Sequence, residues 1–208
     1  MKGKFVTFEG CDGCGKSSQM RMLAEYLTVA GRSIVMTREP GGSVVSDKIR
    51  DILLDAGNYG MEPETEALLF AASRVQHYRE FILPALNSGL LVLCDRYIDS
   101  SLAYQGFGRG LGFDFVLKLF ESTLADAMPD LTVFIDVPPT ECFDRKGGVD
   151  ENDRIERAGG DFFDKVYEGY MEAAKKFPQR IAIIKAEGTK LETQEKIREL
   201  LRSRGIIK

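Results

Sequence analysis

The stretch EGCDGCGKSS, residues 9–18, carries side chains that could do two kinds of chemistry. Cys11 and Cys14 form a C-x-x-C pair, a spacing used to bind a metal ion or to cycle a disulfide. The same stretch fits G-x-x-x-x-G-K-S, in which a glycine-rich loop turns its backbone N–H groups toward phosphate oxygens. Lys16 would then bring a positive charge to the β- and γ-phosphates, and the Ser17 hydroxyl could ligate Mg²⁺.

The elements around this stretch favour the phosphate loop. An apolar run at 4–10 predicts a strand before it, and the apolar periodicity of 16–30 predicts a helix whose N-terminus adds a positive dipole end. A zinc site would need a second cysteine or histidine cluster, and the chain has a single histidine, His77. Metal binding and redox chemistry stay open as alternatives. The predicted phosphate cradle consists of Gly10, Cys11, Asp12, Gly13, Cys14, Gly15, Lys16, Ser17 and Ser18.

Composition restricts the kind of protein. The 208 residues, 44% hydrophobic and 29% charged, predict one globular domain spanning 1–208. A formal net charge of −4 argues against a nucleic-acid partner, so any phosphate site must rely on local positive charge. The N-terminus has no long apolar run, and no stretch has 18 consecutive apolar residues, so we expect a cytoplasmic protein with no membrane partner.

Short apolar runs alternate with longer helical patterns. This alternation predicts βαβ units, and therefore an α/β fold with a mostly parallel sheet covered by helices on both faces. The polar, glycine-containing segment 145–160 predicts a mobile loop. The predicted strands are 4–10, 33–39, 89–96, 131–137 and 180–186, and the predicted helices are 16–30, 44–56, 63–88, 112–127, 160–177 and 190–204.

Ligands of such sheets bind at the carboxyl ends of the strands, where several charged residues of this chain lie. Asp95 could hold Mg²⁺, if necessary through water, and the adjacent Arg96 could bridge donor and acceptor phosphates. Asp136 competes for the metal role, and a structural Asp95–Arg96 surface pair is a further alternative. We favour Asp95 because a nearby cation would explain the pairing. The absence of an N-K-x-D motif argues against a GTPase.

Several further motifs follow the phosphate loop in a recognisable order. With them, the sequence resembles the bacterial thymidylate kinases, P-loop kinases that phosphorylate dTMP with ATP. The resemblance implies a three-layer P-loop fold with sheet order 2-3-1-4-5, transfer of the γ-phosphoryl group to dTMP to give dTDP and ADP in dTTP biosynthesis, a requirement for Mg²⁺, and a homodimer. The motifs are FEGCDGCGKS, TREPGG (37–42), LLFAASRVQH (68–77), DRY (95–97), SSLAYQG (100–106), PDLTVFIDV (129–137), and DRIE followed by DFF (153–163).

The resemblance also implies roles for residues that would bind the acceptor nucleotide. Arg38 and Arg96 would bind its phosphate, since a guanidinium donates two parallel hydrogen bonds. Phe70 would stack on the thymine ring and Arg74 would hydrogen-bond the base. Tyr104 would lie under the sugar, where a ribose 2′-hydroxyl would clash. There are structural alternatives: the arginines could form salt bridges, and the two aromatic residues could simply pack in the core.

Three further positions would complete the acceptor site according to the resemblance. Ser101 and Gln105 would border the base and the sugar, although Ser101 stands where threonine or asparagine is more usual. Asp12 of the phosphate loop would reach the sugar 3′-hydroxyl or a water bound to magnesium.

The segment 145–160 resembles the family's lid, which closes over ATP and excludes water. Some members have a basic residue at the position of Gly13, so here the charge opposing the γ-phosphate would come from the lid. Arg154 is the first candidate and Arg157 the second, while Arg145 would lie against the adenine. A solvated surface loop is the alternative. The predicted catalytic set is therefore Lys16, Asp95, Arg96 and Arg154.

Two rival functions remain. One is a P-loop kinase that acts on another nucleoside monophosphate or on a deoxynucleoside. The other is a regulatory protein that uses ATP as a conformational switch. A switch needs no acceptor site, so the set Arg38, Phe70, Arg74 and Arg96 argues for a kinase.

Overall fold

A computed structural model describes residues 2–208 and contains one five-stranded parallel sheet. The strands lie in the order β2-β3-β1-β4-β5, which confirms the order implied by the family resemblance. Phe8 and Arg38 both pair with Asp95, so the carboxyl ends of β1, β2 and β3 lie at one edge of the sheet. The strands are β1 (Lys4–Glu9), β2 (Ile34–Arg38), β3 (Leu91–Asp95), β4 (Leu131–Asp136) and β5 (Ile181–Lys185).

The three central strands are buried almost throughout, whereas β2 and β5 at the sheet edges are partly exposed. Central strands of a parallel sheet are covered on both faces, which explains why their sequences read as continuous apolar runs instead of alternating. The same runs end in a charged residue, Glu9 on β1, Asp95 on β3 and Asp136 on β4. A rigid core therefore holds three carboxylates at one edge.

Helices connect the strands at close to the predicted positions. None of the helices within 2–208 is both long and apolar enough to cross a lipid bilayer. Helix α3 continues through a wide helical turn, Tyr78–Ile82, into α4, and α5 continues in the same way through Leu102–Gly108. The helices are α1 (Lys16–Val29), α2 (Val44–Leu54), α3 (Pro63–His77), α4 (Leu83–Asn87), α5 (Ile98–Ser101), α6 (Phe113–Leu124), α7 (Pro139–Lys146), α8 (Gly160–Lys176) and α9 (Lys190–Ser203).

Two helical stretches longer than a single turn were not predicted. Helix α7 has Pro139 at its start, where a missing N–H costs nothing, and ends at Gly147 with φ 87°. It therefore extends into the segment that was predicted as a loop from residue 145. A short helical turn, Glu156–Ala158, also lies inside that segment. The second missed stretch, Ile98–Gly108, carries the SSLAYQG motif and forms one wall of the site.

Candidate active site

The loop between β1 and α1 has the geometry of a phosphate cradle. Gly10, Gly13 and Gly15 have φ values of 138°, 92° and 101°, a region that side chains disfavour. A Cβ on Gly13 would lie 2.0 Å from the carbonyl oxygen of Cys142 on α7, so this position also lacks room for a side chain. The loop can therefore present successive backbone N–H groups beside the N-terminus of α1.

Lys16 is buried at the first position of α1 and lies across the loop. Its Nζ donates to the carbonyl oxygens of Gly10 and Cys11, at 2.8 and 2.9 Å. The same Nζ is 3.7 Å from Asp12 Oδ1. The loop backbone thus holds the ammonium group in place before any nucleotide arrives.

Ser17 and Asp95 meet at the end of the loop. The Ser17 hydroxyl donates to Asp95 Oδ2 at 2.7 Å, although the two residues are on α1 and β3. Asp95 Oδ1 is buried and has no hydrogen-bond partner within the described residues. A buried carboxylate oxygen without a donor, next to a hydroxyl, fits a hydrated Mg²⁺. Asp136, the competing candidate, instead accepts a hydrogen bond from Tyr167 OH at 2.7 Å.

Two cavities meet at this edge of the sheet. The first, of about 430 Å³, is polar and is lined by Asp12, Gly13, Gly15, Lys16, Ser17, Ser18, Arg38, Glu39, Arg50, Asp95 and Arg96. The second, of about 160 Å³, is lined by Asp12, Glu39, Pro40, Arg50, Leu54, Phe70, Arg96, Ser100, Ser101, Tyr104, Gln105, Asp153, Ile155 and Glu156. Asp12, Glu39, Arg50 and Arg96 line both. A ligand in one cavity therefore lies next to a ligand in the other.

Arg96 lies at the junction of the two cavities. Its φ of 67° makes it the one non-glycine residue within 2–208 with a positive φ. Such a conformation costs about 1–3 kcal/mol and is common at functional sites. Nη2 donates to Asp12 Oδ1 at 2.7 Å and to Tyr104 OH at 3.1 Å. Although burial acts in the opposite direction, the charges of Arg96 and then Lys16 hold the pKa of Asp12 well below its usual range.

The second cavity has an apolar wall and a polar end. Phe70 and Tyr104 supply aromatic faces, and Ser101 and Gln105 supply hydrogen-bonding groups. The buried Arg74 donates Nε to Glu39 Oε2 at 2.5 Å and Nη1 to Ser101 Oγ at 2.9 Å. Arg74 does not line the cavity itself, but it lies directly behind Ser101.

Comparisons with known proteins give the family. The thymidylate kinase family profile matches residues 8–197. The chain belongs to the thymidylate kinase family. It is 50% identical over 184 residues to the thymidylate kinase of Thermoanaerobacter sp. (strain X514), covering 88% of this chain and 90% of that one. It is 44% identical to that of Finegoldia magna, covering 98% of this chain and all of the other.

A solved structure shows the same fold. The crystal structure of thymidylate kinase from Ehrlichia chaffeensis superposes with a TM-score of 0.78 at 32% sequence identity, covering 97% of this chain and 99% of that one. The chain is therefore a P-loop kinase of this family, and the enzymes of the family phosphorylate dTMP with ATP to give dTDP. The regulatory-switch alternative is wrong.

The metal and disulfide interpretations of the C-x-x-C pair find no support in the structure of this thymidylate kinase family member. The four cysteines within 2–208 are free and buried. The described residues contain no group of three or more His, Cys, Asp or Glu side chains that could hold a metal ion. Burial raises the pKa of Cys11 to about 12 and also raises the pKa of Cys142, so both thiols are held in their unreactive protonated form.

Two residues that line both cavities were absent from the predicted site. Arg50 on α2 donates to the Pro40 carbonyl oxygen at 2.9 Å, and burial together with the charge of Arg38 lowers its pKa. Two neighbouring cations with one weak partner, Asp47 at 3.7 Å from Arg38, form a site ready for an anion. The sequence feature that could have identified Arg50 was its position on α2. It lies about two turns after the start of that helix, close to the TREPGG motif.

Glu39 is the second missed residue. It is buried in the wall that the two cavities share and accepts hydrogen bonds from both Arg74 and His77. His77, expected to be an ordinary helix residue, is fully buried, with Nδ1 3.0 Å from Glu39 Oε1 and Nε2 2.7 Å from Thr37 Oγ1. Glu39 therefore links the TREPGG loop to α3 and fixes the guanidinium of Arg74.

The structure does not bring Arg154 to the phosphate loop, where the sequence predicted a contact with the γ-phosphate. The residue is buried, its Nε donates to the Leu53 carbonyl oxygen at 3.0 Å, and its Nη2 is 2.7 Å from Glu66 Oε2. The physical reason is that Glu66 is a buried carboxylate that needs cations. It is also bound by Arg109 Nε at 3.1 Å and by Gln105 Nε2 at 2.8 Å.

The segment 145–160 forms part of the wall of the second cavity. Asp153 and Glu156 of this segment line that cavity, and Asp153 forms an isolated antiparallel bridge with Asp55 after α2. Arg157 is exposed, 3.8 Å from Glu151. Arg145 pairs with Glu141 at 2.5 Å and reaches the Ala186 carbonyl oxygen at 3.4 Å, outside both cavities.

Proposed function

We propose that the two joined cavities are the donor and acceptor sites of one phosphoryl transfer. The reaction is the phosphorylation of dTMP by ATP, which gives dTDP and ADP and belongs to dTTP synthesis. The observation that supports these sites is the sharing of Asp12, Arg50 and Arg96 by a polar cavity at the phosphate loop and a cavity with aromatic walls. The 5′-phosphate of dTMP would lie between the guanidinium groups, facing the γ-phosphate.

Positioning and charge neutralisation suffice for this chemistry. The acceptor phosphate is already ionised at neutral pH, since the second ionisation of a phosphate monoester has a pKa of about 6. No strong general base is needed, and the protein has to hold two anions in line. Lys16 would bind the β- and γ-phosphates, and Arg96 with Arg38 and Arg50 would bind the acceptor phosphate. Asp12 would reach the sugar 3′-hydroxyl while it orients Arg96.

Magnesium fits the pair Ser17 and Asp95. When bound, it would neutralise charge on the donor phosphates. Ser17 would offer its hydroxyl oxygen, and Asp95 would accept from water in the shell of the ion with the Oδ1 atom that has no donor in the described residues.

The base would occupy the aromatic end of the second cavity. Phe70 would stack on thymine, Gln105 and Ser101 would border it, and Arg74 would donate its remaining N–H groups to a base oxygen. Tyr104 would limit space at the sugar. Its ring is packed edge-on against Phe162, Phe163 and Tyr170, so it could not move aside easily for a ribose 2′-hydroxyl. Arg145, beside the Ala186 carbonyl oxygen, would lie at the adenine end of the donor site.

An acceptor panel tests this assignment. ADP release with ATP and Mg²⁺ is measured for dTMP, dUMP, ribothymidine monophosphate, AMP, CMP, GMP and thymidine. We expect strong preference for dTMP over the ribose analogue and over the other bases. Turnover with another acceptor would retain the kinase but reject the roles of Phe70, Arg74 and Tyr104.

For Arg154, we expect a role as the residue that pins the lid across the acceptor cavity. Arg154→Ala removes the contacts with Leu53 and Glu66, so the lid should open more often and the KM for dTMP should rise by about tenfold, equivalent to ~1.4 kcal/mol. The KM for ATP should change little. Arg157→Ala removes an exposed arginine of the same lid and serves as the control. A fall in kcat alone would instead support the γ-phosphate contact that the sequence suggested.

The assembly is proposed to be a homodimer in the cytoplasm, working as one kinase domain per chain with 145–160 as its lid. Exposed apolar side chains on α2 and α3, which pack side by side, support the dimer. They are Val44, Val45, Ile52 and Leu68, with Tyr59 in the connection between the two helices. Light scattering after size-exclusion chromatography measures the assembly, and a monomeric mass at micromolar concentration would contradict it.

A further inference from the structure

Glu9 is a buried carboxylate to which the phosphoryl transfer described above gives no role. It ends β1, immediately before the phosphate loop, and is fully shielded from solvent. Its Oε1 accepts a hydrogen bond from the backbone N–H of Tyr97 at 2.7 Å. Its Oε2 accepts from Ser100 Oγ at 2.6 Å and from Tyr170 OH at 3.0 Å.

The two hydroxyls that donate to Glu9 also accept from Arg96. Arg96 Nη1 is 3.2 Å from Ser100 Oγ and 3.0 Å from Tyr170 OH. A hydroxyl has one proton and two lone pairs. When the proton of each hydroxyl points at Glu9, its lone pairs are left for the guanidinium. The two hydroxyls also lie 2.9 Å apart, but a proton turned toward the other hydroxyl would take a donor away from the ionised Oε2. Glu9 therefore favours both protons pointing at it, and through the two hydroxyls it orients the guanidinium.

The environment of Glu9 disfavours its ionised form. Burial first, and then the charge of Asp99, raises the pKa of Glu9 to about 7, although Ser100, Arg96 and the Tyr97 N–H act in the opposite direction. Asp99 is itself engaged by Arg180, at 2.5 and 2.7 Å. Carboxylates whose ionisation is this costly occur preferentially at functional sites.

We propose that Glu9 is a positioning residue that holds the Arg96 guanidinium at the acceptor phosphate through the hydroxyls of Ser100 and Tyr170. The proposal rests on the placement of Arg96 at that phosphate. Asp12 and Tyr104 hold Nη2 of Arg96, whereas this relay holds Nη1. The two sets of contacts use the four Nη hydrogens and fix the plane of the guanidinium, so that its charge and its Nε–H have one direction toward the acceptor phosphate.

Steady-state kinetics of Glu9→Gln and Tyr170→Phe at pH 8 test the relay. Each change removes one link, because the glutamine amide can donate where the carboxylate only accepts, and phenylalanine has no hydroxyl. We expect the KM for dTMP to rise by about tenfold, the size of one lost charged hydrogen bond. The KM for ATP should stay within about twofold, because Lys16 and the phosphate loop are untouched. Tyr167→Phe, which removes a hydroxyl bonded to Asp136 on the same helix, is the matched control and should leave both KM values unchanged.

A double-mutant cycle with Arg96→Lys separates positioning from a structural role. If Glu9 acts through the Arg96 guanidinium, Glu9→Gln should cost nothing further once that guanidinium is gone. Full additivity of the two losses would overturn the proposal, as would an unchanged KM for dTMP in Glu9→Gln. If Arg96→Lys alone leaves the KM for dTMP unchanged, the placement of Arg96 fails instead.

Thermal stability gives the second readout. A carboxyl group whose folded pKa is raised stabilises the fold below its unfolded pKa and loses this contribution as the pH rises through the folded value. Ionised Glu9 therefore destabilises the folded state at pH 8. At that pH, Glu9→Gln should have a Tm no lower than that of the unmodified protein. A parallel fall in Tm and in the affinities for both substrates would show a structural role and overturn the proposal. If Glu9→Gln does not fold, Tyr170→Phe carries the same cycle.

Discussion

Lys16→Ala is expected to lower kcat by roughly 10³-fold, the size of effect seen when a single charge stabiliser is removed from a transferring group. Lys16 Nζ is held by the Gly10 and Cys11 carbonyl oxygens, at the position where the β- and γ-phosphates of a nucleotide would lie. It lines the polar cavity but not the cavity with aromatic walls. Binding of dTMP, measured by calorimetry without ATP, should therefore stay within a few-fold of the unmodified protein.

The matched control for this variant is Lys196→Ala. Lys196 also donates to a backbone carbonyl oxygen, that of Lys185 at 3.1 Å, but on the exposed surface of α9. We expect it to retain full activity. Near-normal turnover of Lys16→Ala would reject the phosphate cradle. An equal loss of dTMP and ATP binding would show that the loop collapses without the ammonium group, so that its contribution is structural.

The phosphate loop and the ends of the strands were predictable because their chemistry is local. Gly10 to Ser17 follow one another in the chain, and the glycines, the lysine and the serine each have a role at fixed spacing. Asp95 and Arg96 end an apolar run, and parallel strands bring such ends to one edge. The hydrogen bond from Ser17 to Asp95 shows that the phosphate loop and the end of β3 do meet at this edge.

The contacts of the segment 145–160 were predictable only in part, because its charges are paired with residues that are distant in sequence. Arg154 looks like a free cation in the polar segment DENDRIER, but the buried Glu66 on α3 competes for it. Nothing near Glu66 in the sequence indicates burial, since its neighbours Glu62 and Glu64 are exposed. Burial of a carboxylate depends on packing between α3, the Gln105 segment and the lid, which is a tertiary property.

The roles of Glu9 and Glu39 were missed for the same reason. Glu9 ends β1 and Glu39 follows β2, but their roles come from partners on other elements. Glu39 orients Arg74, and Glu9 orients the hydroxyls around Arg96. Sequence indicates which residues face the ligand more readily than which residues hold them. Glu9 and Glu39 hold cations at or directly behind the cavities, so a chain of net charge −4 can present a positive site.

Arg96→Lys is expected to lower kcat/KM for dTMP by roughly 10³-fold. Lysine keeps the charge but donates from one nitrogen, whereas Arg96 is held in place through Nη1 and Nη2 and keeps its charge and Nε–H for the phosphate. Both residues carry the same penalty for the positive φ at this position, and the backbone N–H bond to Phe8 O at 2.9 Å is unaffected. The variant also loses hydrogen bonds to buried hydroxyls, so Tm should fall by an amount similar to that of the control below, while the KM for dTMP rises and kcat falls. Initial rates at varied dTMP and saturating ATP measure both constants.

Arg180→Lys is the matched control for this change. Arg180 has the same exposed fraction as Arg96, 15%, and donates two hydrogen bonds to a carboxylate, that of Asp99. Its replacement removes a planar fork of equal burial that faces no cavity, so it should lower Tm and leave kcat/KM for dTMP nearly unchanged. If both variants lose activity in proportion to lost stability, Arg96 acts through the fold. If the two variants lose a similar amount of Tm but Arg96→Lys alone loses activity, the guanidinium itself binds the acceptor phosphate, and the strained backbone at residue 96 is retained for that contact.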